Sequence, residues 1–287
     1  LTGCEIVSQV GYMVAGVGIG TALAINGACA HAFAHILYKG LLFMGAGAII
    51  HATGKSKFTE LGGLYGKMPF TMAAIIIGGI SVSAFPFFSG FVSKSIIIAA
   101  SYHEHLLLAG FLLTMVSAGT FLVAGLRLPY LLFFSEFRGD SETYKKASDP
   151  PWNMQLAMVS ACILCFLVGS YLPFLYNMLP HQDIPFYKPY SAYHLSETLQ
   201  IIAFTALGFF YLHKNIGARP TITLDLDWFY RRGGKVFNWL AKNPVQWLDT
   251  AWGEAYRVVG LFSLMTTARF WAWFDWHAID GVVDGTA

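Results

Sequence analysis

"ACAHAFAHILYKGLLFMGAGAII", residues Ala28–Ile50, is apolar along its length apart from two imidazoles and one ammonium. About 20 apolar residues cover the roughly 30 Å hydrocarbon layer of a bilayer, and this run is long enough to do so as one helix. His31, His35 and Lys39 are spaced by four, so each is rotated about 40° from the last and all three line one face. A charge near the bilayer centre costs at least ~2.5–3.5 kcal/mol on insertion scales, so that face points at a bundle interior or a hydrated path. Two blander readings compete: an imidazole satisfied by a neighbouring carbonyl, and a lysine reaching for the interface. Lys39 lies too deep in the segment for the second.

The whole chain follows that segment. Of its 287 residues 56% are hydrophobic and 12% charged, against roughly 45–50% and about 25% in soluble domains. Segments Cys4–Ala24, Ala28–Ile50, Phe70–Ala100, Leu106–Phe134, Asn153–Tyr176 and Ser196–His213 each satisfy the bilayer ruler. The expected fold is therefore all-α, a polytopic transmembrane bundle of about six spans. Crossing at each places loops 51–69 and 135–152 and everything after His213 on one side, and loops 25–27, 101–105 and 177–195 on the other. The first side carries Lys55, Lys57, Lys67, Arg138, Lys145, Lys146, Lys214 and Arg219, the second only Lys188. Basic loops mark the cytoplasmic side of a membrane.

The tail changes character from Pro220, mixing charges with Trp, Tyr and Phe. We expect residues 1–214 to form the bundle and 215–287 amphipathic helices lying along the cytoplasmic face or against partner subunits. Pro244 suits a helix N1 position. A seventh crossing by residues 255–276 is the competing reading, and it needs partners for Arg257 and Arg269. The net charge of +2 and the lack of a basic run argue against nucleic acid. The four cysteines read as small core residues, because CxxC at Cys162 and Cys165 lacks the βαβ context of a redox motif. Apolar sequence starts almost at once, with neither an initiator Met nor a signal-peptide n-region, as in a fragment of a longer protein.

The third span, at about 46 Å if straight, is too long for one crossing and must break. Pro86 removes a backbone donor and Gly90 follows, so the interruption is expected near Phe85–Gly90. Discontinuous helices are where transporters place ion sites, and Lys94 stands just past this one. His31, His35, Lys39 and Lys94 are thus candidates for a proton relay. Ser81, Ser83, Ser89 and Ser93 are placed to hold water along it, and Arg127 either joins the relay or reaches the interface. Glu5, at the start of the first span, reads as terminal. No carboxylate or thiolate completes a metal site with His31 and His35. No phosphate loop or nucleophile with its base is visible, so neither a cofactor nor stand-alone enzymatic activity is expected. "GVGIG" is better read as a close packing face using Gly16 and Gly20 than as a nucleotide motif.

Taken in order, "SQVGYM", "HAFAHILYKGLLFMGAGAII", "LGGLYGKMPFTMA" and "SAFPFFSGFVSKS" resemble the C-terminal half of the antiporter-like subunits. Mrp-type multisubunit Na⁺/H⁺ antiporters and the proton-pumping arm of complex I share that family. "DPPWNMQLAM", "YKPYSAYHLSETLQ" and "LDLDWFYRR" look most like the D-type component of the Mrp antiporters. The resemblance implies inverted five-helix repeats, each with a broken helix, and an ionisable row across the midplane. His31, His35 and Lys39 match the family's polar helix, and Lys94 its terminal lysine, which opens toward one bulk phase. The family's earlier Glu and Lys pair has no counterpart here, and Ser95 stands where some relatives carry an acid.

The function implied is a membrane subunit of a monovalent cation/proton antiporter. It would sit in a bacterial inner membrane with further subunits, one holding the missing N-terminal half, and handle protons and, in that reading, Na⁺. A proton channel of a redox-driven complex is the alternative within transport, and a non-transporting scaffold the alternative from another class. Single cysteines replacing Lys55 or Lys145 are expected to react with a membrane-impermeant thiol reagent only once the cytoplasmic face is exposed. Labelling in intact cells would reverse the topology.

Overall fold

The computed structural model describes residues 2–185, 187–213 and 226–285; Lys214, Arg219, Pro220 and the expected boundary at 214/215 lie outside them, as does the side chain of Cys4. The chain forms two compact units, Leu1–Pro220 and Thr221–Ala287. The first consists of α1 (Thr2–Ile19), α2 (Ala22–Thr53), α3 (Pro69–Val82), α4 (Ser89–His103), α5 (Leu107–Phe134), α6 (Ser141–Lys146), α7 (Trp152–Ser170), α8 (Leu172–Tyr176) and α9 (Ala192–Leu212). Among the described residues, α2, α5, α7 and α9 are long and apolar enough to cross a membrane, while Glu5–Ile19 and α3 are shorter apolar helices. The all-α, membrane-spanning fold class is as expected, and α3 with α4 forms the broken crossing.

Helix α2 is the axis, packing against α1, α3, α4 and α7. Its 32 residues extend about 48 Å, so it starts earlier than expected and residues 25–27 are helix, not loop. The turn sits at Gly20, which has φ +78°, and Thr21 caps α2 by accepting the Ala24 N–H at 3.3 Å. Gly20 is therefore a turn residue with open space around its Cα, whereas Gly16 does pack closely, against Ala24 and Ala28. Asn26, in the second turn of α2, is tolerated because its side-chain amide is satisfied at both ends. Its amide donates to the His181 carbonyl at 2.8 Å and accepts the His181 N–H at 3.0 Å, fastening segment 177–191 to the bundle. Of the cysteines, Cys165 is core as expected, Cys162 is half-buried, and Cys29 is exposed, against expectation.

The interruption runs from Ser83 to Phe88. Ala84 and Phe87 both take positive φ, a conformation costly for residues with a Cβ. Pro86 lies within the gap, but Gly90 does not: it is the second residue of α4. Its lack of a side chain is needed for approach, because a Cβ there would lie 2.0 Å from the Ser81 carbonyl oxygen. Gly169 of α7 does the same from outside, with the Phe87 and Phe88 backbone pressed against it.

Loops 54–68 and 135–151 meet on one face. Lys55 lies 3.8 Å from Asp140 and Lys67 stands over the Tyr144 ring. Helix α3 begins at Pro69 with no cap of its own. Asp149 supplies one from a distance, accepting the N–H groups of Phe70 (3.0 Å) and Thr71 (2.9 Å) and the Thr71 hydroxyl (2.7 Å).

In the second unit, α10 (Leu226–Leu240), α11 (Gln246–Ala255), α12 (Phe262–Phe274) and α13 (Gly281–Gly285) are joined by π-helical turns. Pro244 sits inside the first such turn rather than at a helix start. A wider turn absorbs the hydrogen bond that proline cannot make, as α5 does around Pro129. None of the unit's described side chains is buried, and Arg257 pairs with Glu254 at 2.9 Å.

Asp149→Ala is expected to destabilise the bundle by about 1–2 kcal/mol, seen as a lower melting temperature in detergent, and Asp149→Asn by less. Equal losses for both variants would show that α3 does not depend on this cap.

Candidate functional site

Three helices bring their polar residues to one line, buried except at the half-buried His35. From α1 come Glu5, Gln9 and Tyr12, spaced to share a helical face; from α2, His31, His35, Tyr38 and Lys39; from α4, Ser89, Ser93 and Lys94. At one end Lys39 Nζ meets Glu5 Oε2 at 2.8 Å, with both side chains about 95% shielded. Glu5 is thus the counter-charge of Lys39 and not a terminal residue, which corrects the sequence reading. Taking two charges out of water is costly, and only close, well-partnered geometry offsets it.

The middle of the line is built of hydroxyls and imidazoles. Ser93 donates its hydroxyl to the Ser89 carbonyl at 3.1 Å and therefore accepts from His31 Nδ1 at 2.9 Å. That leaves His31 Nε2 to accept from the Tyr38 hydroxyl at 3.4 Å. His35 lies beside both, its ring 6.5 Å from that of His31 and 5.5 Å from that of Tyr38. Its Nε2 is buried without a hydrogen-bond partner.

At the other end Lys94, 1% exposed, donates to the Val82 carbonyl at 2.8 Å. That carbonyl is among those left orphaned where α3 stops, and a helix C-terminus carries the negative end of the dipole. The Lys94 ammonium also stands 4.9 Å from the centre of the Tyr12 ring, a cation–π contact. Tyr12 is fixed in turn by donating to the Leu113 carbonyl and by Ser117 Oγ at 2.9 Å. Ser89 faces Ser81 across the break at 3.2 Å.

Of the expected residues, His31, His35, Lys39, Lys94, Ser89 and Ser93 are brought together. Arg127 is not: its side chain is half-buried on the π-helical stretch of α5, its Nε is buried without a hydrogen-bond partner, and no hydrogen bond joins it to the line. Among the described residues no group of three or more His, Cys, Asp or Glu side chains could hold a metal. Glu5, Tyr12 and Tyr38 were missed. Tyr38 carried a readable signal, standing two turns after His31 on the same face.

Residues 6–124 match the family described as "NADH:quinone oxidoreductase/Mrp antiporter, TM". That segment is where the chain resembles the family. It contains every residue of the line except Glu5, which precedes it by one position. Over 163 residues the chain is 34% identical to NADH-ubiquinone oxidoreductase chain 5 of Metridium senile, covering 56% of this chain and 27% of that one. Over 166 residues it is 32% identical to the chain of the same name from Schizophyllum commune, covering 57% and 24%. The chain thus spans about a quarter of the length of these relatives. A chain in the structure of the Mrp complex from Dietzia sp. DQ12-45-1b superposes with a TM-score of 0.61 over 93% of this chain and 31% of that one. At 22% identity this likeness concerns the fold.

Glu5→Gln, which removes the negative charge facing Lys39, is expected to cost roughly 3–5 kcal/mol of stability. The double change Glu5→Gln with Lys39→Met should recover most of that in thermal melts. Additive losses would mean the two residues are not coupled.

Proposed function

We propose that the chain is a membrane subunit of a multisubunit monovalent cation/proton antiporter and carries part of its proton path. The observation that carries this reading is the line from Glu5 and Lys39 through His35, Tyr38 and His31 to Ser93 and Lys94, running between helices up to an interrupted one. A buried lysine can give up its proton, because desolvation works against its charged form. Histidine suits the relay between lysines, since it changes charge near neutral pH and exchanges protons at both ring nitrogens. In this scheme Lys39 and Lys94 are the loading stations, and His31 and His35 with intervening water pass the proton between them. Ser89 and Ser93 orient the links, and Arg127 stays outside the path.

The same residues serve a second reading, a proton channel in a redox-driven complex. It is favoured by the identity to chains named NADH-ubiquinone oxidoreductase chain 5. In either case the chain moves protons while any electron transfer belongs to other subunits. We place it in a bacterial inner membrane, with the basic loops 54–68 and 135–151 and the aromatic tail on the cytoplasmic side. Residues 1–214 act as the translocating bundle, and 215–287 lie on the membrane surface or against partner subunits, one of which supplies the rest of the ionisable row.

In the complete assembly Lys94→Ala is expected to abolish proton transport, and Lys94→Arg to fail equally, because a guanidinium keeps its proton. Arg127→Lys should retain most activity. Full transport by Lys94→Arg, with assembly confirmed by membrane co-purification, would reduce Lys94 to an electrostatic pin and defeat the relay.

A further inference from the structure

Two cavities meet on the side of Lys94 away from the histidine line. The inner one, about 30 Å³, is bordered by Lys94 with Ser83, Thr114 and Ser117, and on its far wall by His194 and Glu197 of α9. The outer one, about 540 Å³, opens between Tyr102 and His103 at the end of α4 and Tyr187 and Ser191 of segment 177–191. That is the face opposite the basic loops. His194, Glu197 and Ile98 border both, and the first two are the titratable side chains at the junction. Their geometry is that of a relay. His194 Nε2 lies 2.7 Å from Ser95 Oγ, next to Lys94 in sequence, and Nδ1 lies 3.3 Å from Glu197 Oε2. The His194 side chain is 13% exposed and that of Glu197 31%, so burial relaxes outward along the series. Phe91 holds the imidazole, with ring centres 5.2 Å apart.

We propose that His194 and Glu197 form the outlet through which Lys94 exchanges protons with the compartment opposite the basic loops. The inference rests on the reading of Lys94 as a proton station. The Lys94 ammonium releases one proton to water in the inner cavity and becomes a neutral amine, and His194 takes that proton at Nε2. Its Nδ1 proton passes to the Glu197 carboxylate, which delivers it to the outer cavity. His194 then returns to its starting tautomer by a ring flip or by a further exchange with water, so one proton has crossed and no group is consumed. A purely local role, in which the pair only steadies the first turn of α9, predicts no link to transport.

The complete assembly in sealed vesicles distinguishes these. His194→Gln is expected to slow proton transport on the order of a hundredfold with assembly intact. Imidazole added to the compartment opposite the basic loops should restore transport, and imidazole on the other side should not. Thr198→Cys, on the wall of the inner cavity, should be blocked by an impermeant thiosulfonate from that same compartment only, with the unsubstituted chain unaffected. Normal transport by His194→Gln with Glu197→Gln, or loss with neither imidazole rescue nor sided block, overturns the outlet. Lys94→Ala is run beside them: transport that survives it refutes the relay itself, whereas its loss with normal His194→Gln transport refutes only the outlet.

Discussion

The Lys94 ammonium and the Val82 carbonyl solve each other's problem, and the bundle is arranged so that they can. A helix that stops at membrane depth leaves carbonyls with no water to satisfy them, and a lysine there has no counter-ion within its own helix. At 2.8 Å each supplies what the other lacks. The remaining features of the region hold that geometry in place. Pro86 ends the ladder, Ala84 and Phe87 accept positive φ, and Gly90 and Gly169 allow backbone to lie where any side chain would collide.

The two lysines are compensated in different ways. Lys39 faces a full negative charge on Glu5 at 2.8 Å, whereas Lys94 faces the partial charges of a carbonyl and of the Tyr12 ring. Between them the links are hydroxyls and imidazoles. Because α2 touches α1, α3, α4 and α7, the residues it carries into the line are held by four neighbouring helices.

The features legible in the sequence were those that helical periodicity or backbone chemistry announces locally. The four-residue spacing of His31, His35 and Lys39 was enough to put them on one face, and the length of the third span with Pro86 was enough to foresee its break. What stayed hidden depended on distant partners. Glu5 lies 34 residues from Lys39, and nothing near Glu5 distinguishes a buried acid from a terminal one. The turn at Gly20 and Thr21 was masked because apolar sequence runs through it and on into α2. Gly90 was assigned to the break because it follows Pro86, when its real constraint is contact with the Ser81 carbonyl. His194 and Glu197 passed unnoticed because an i, i+3 pair at a helix start usually only steadies the helix end.

Ser95 shows how a departure from a family pattern can be informative. An acid beside Lys94 on the same helix would hold the ammonium as Glu5 holds Lys39, at contact distance and with a full charge. A serine there offers only a hydroxyl, whose proton is shared between the Phe91 carbonyl at 2.5 Å and His194 Nε2 at 2.7 Å. In the proposed outlet, His194 and Glu197 of α9 face Lys94 across a small cavity with mostly apolar walls. A proton leaving Lys94 then breaks a hydrogen bond to a carbonyl instead of a buried ion pair. Breaking such an ion pair is the step that low dielectric makes most expensive.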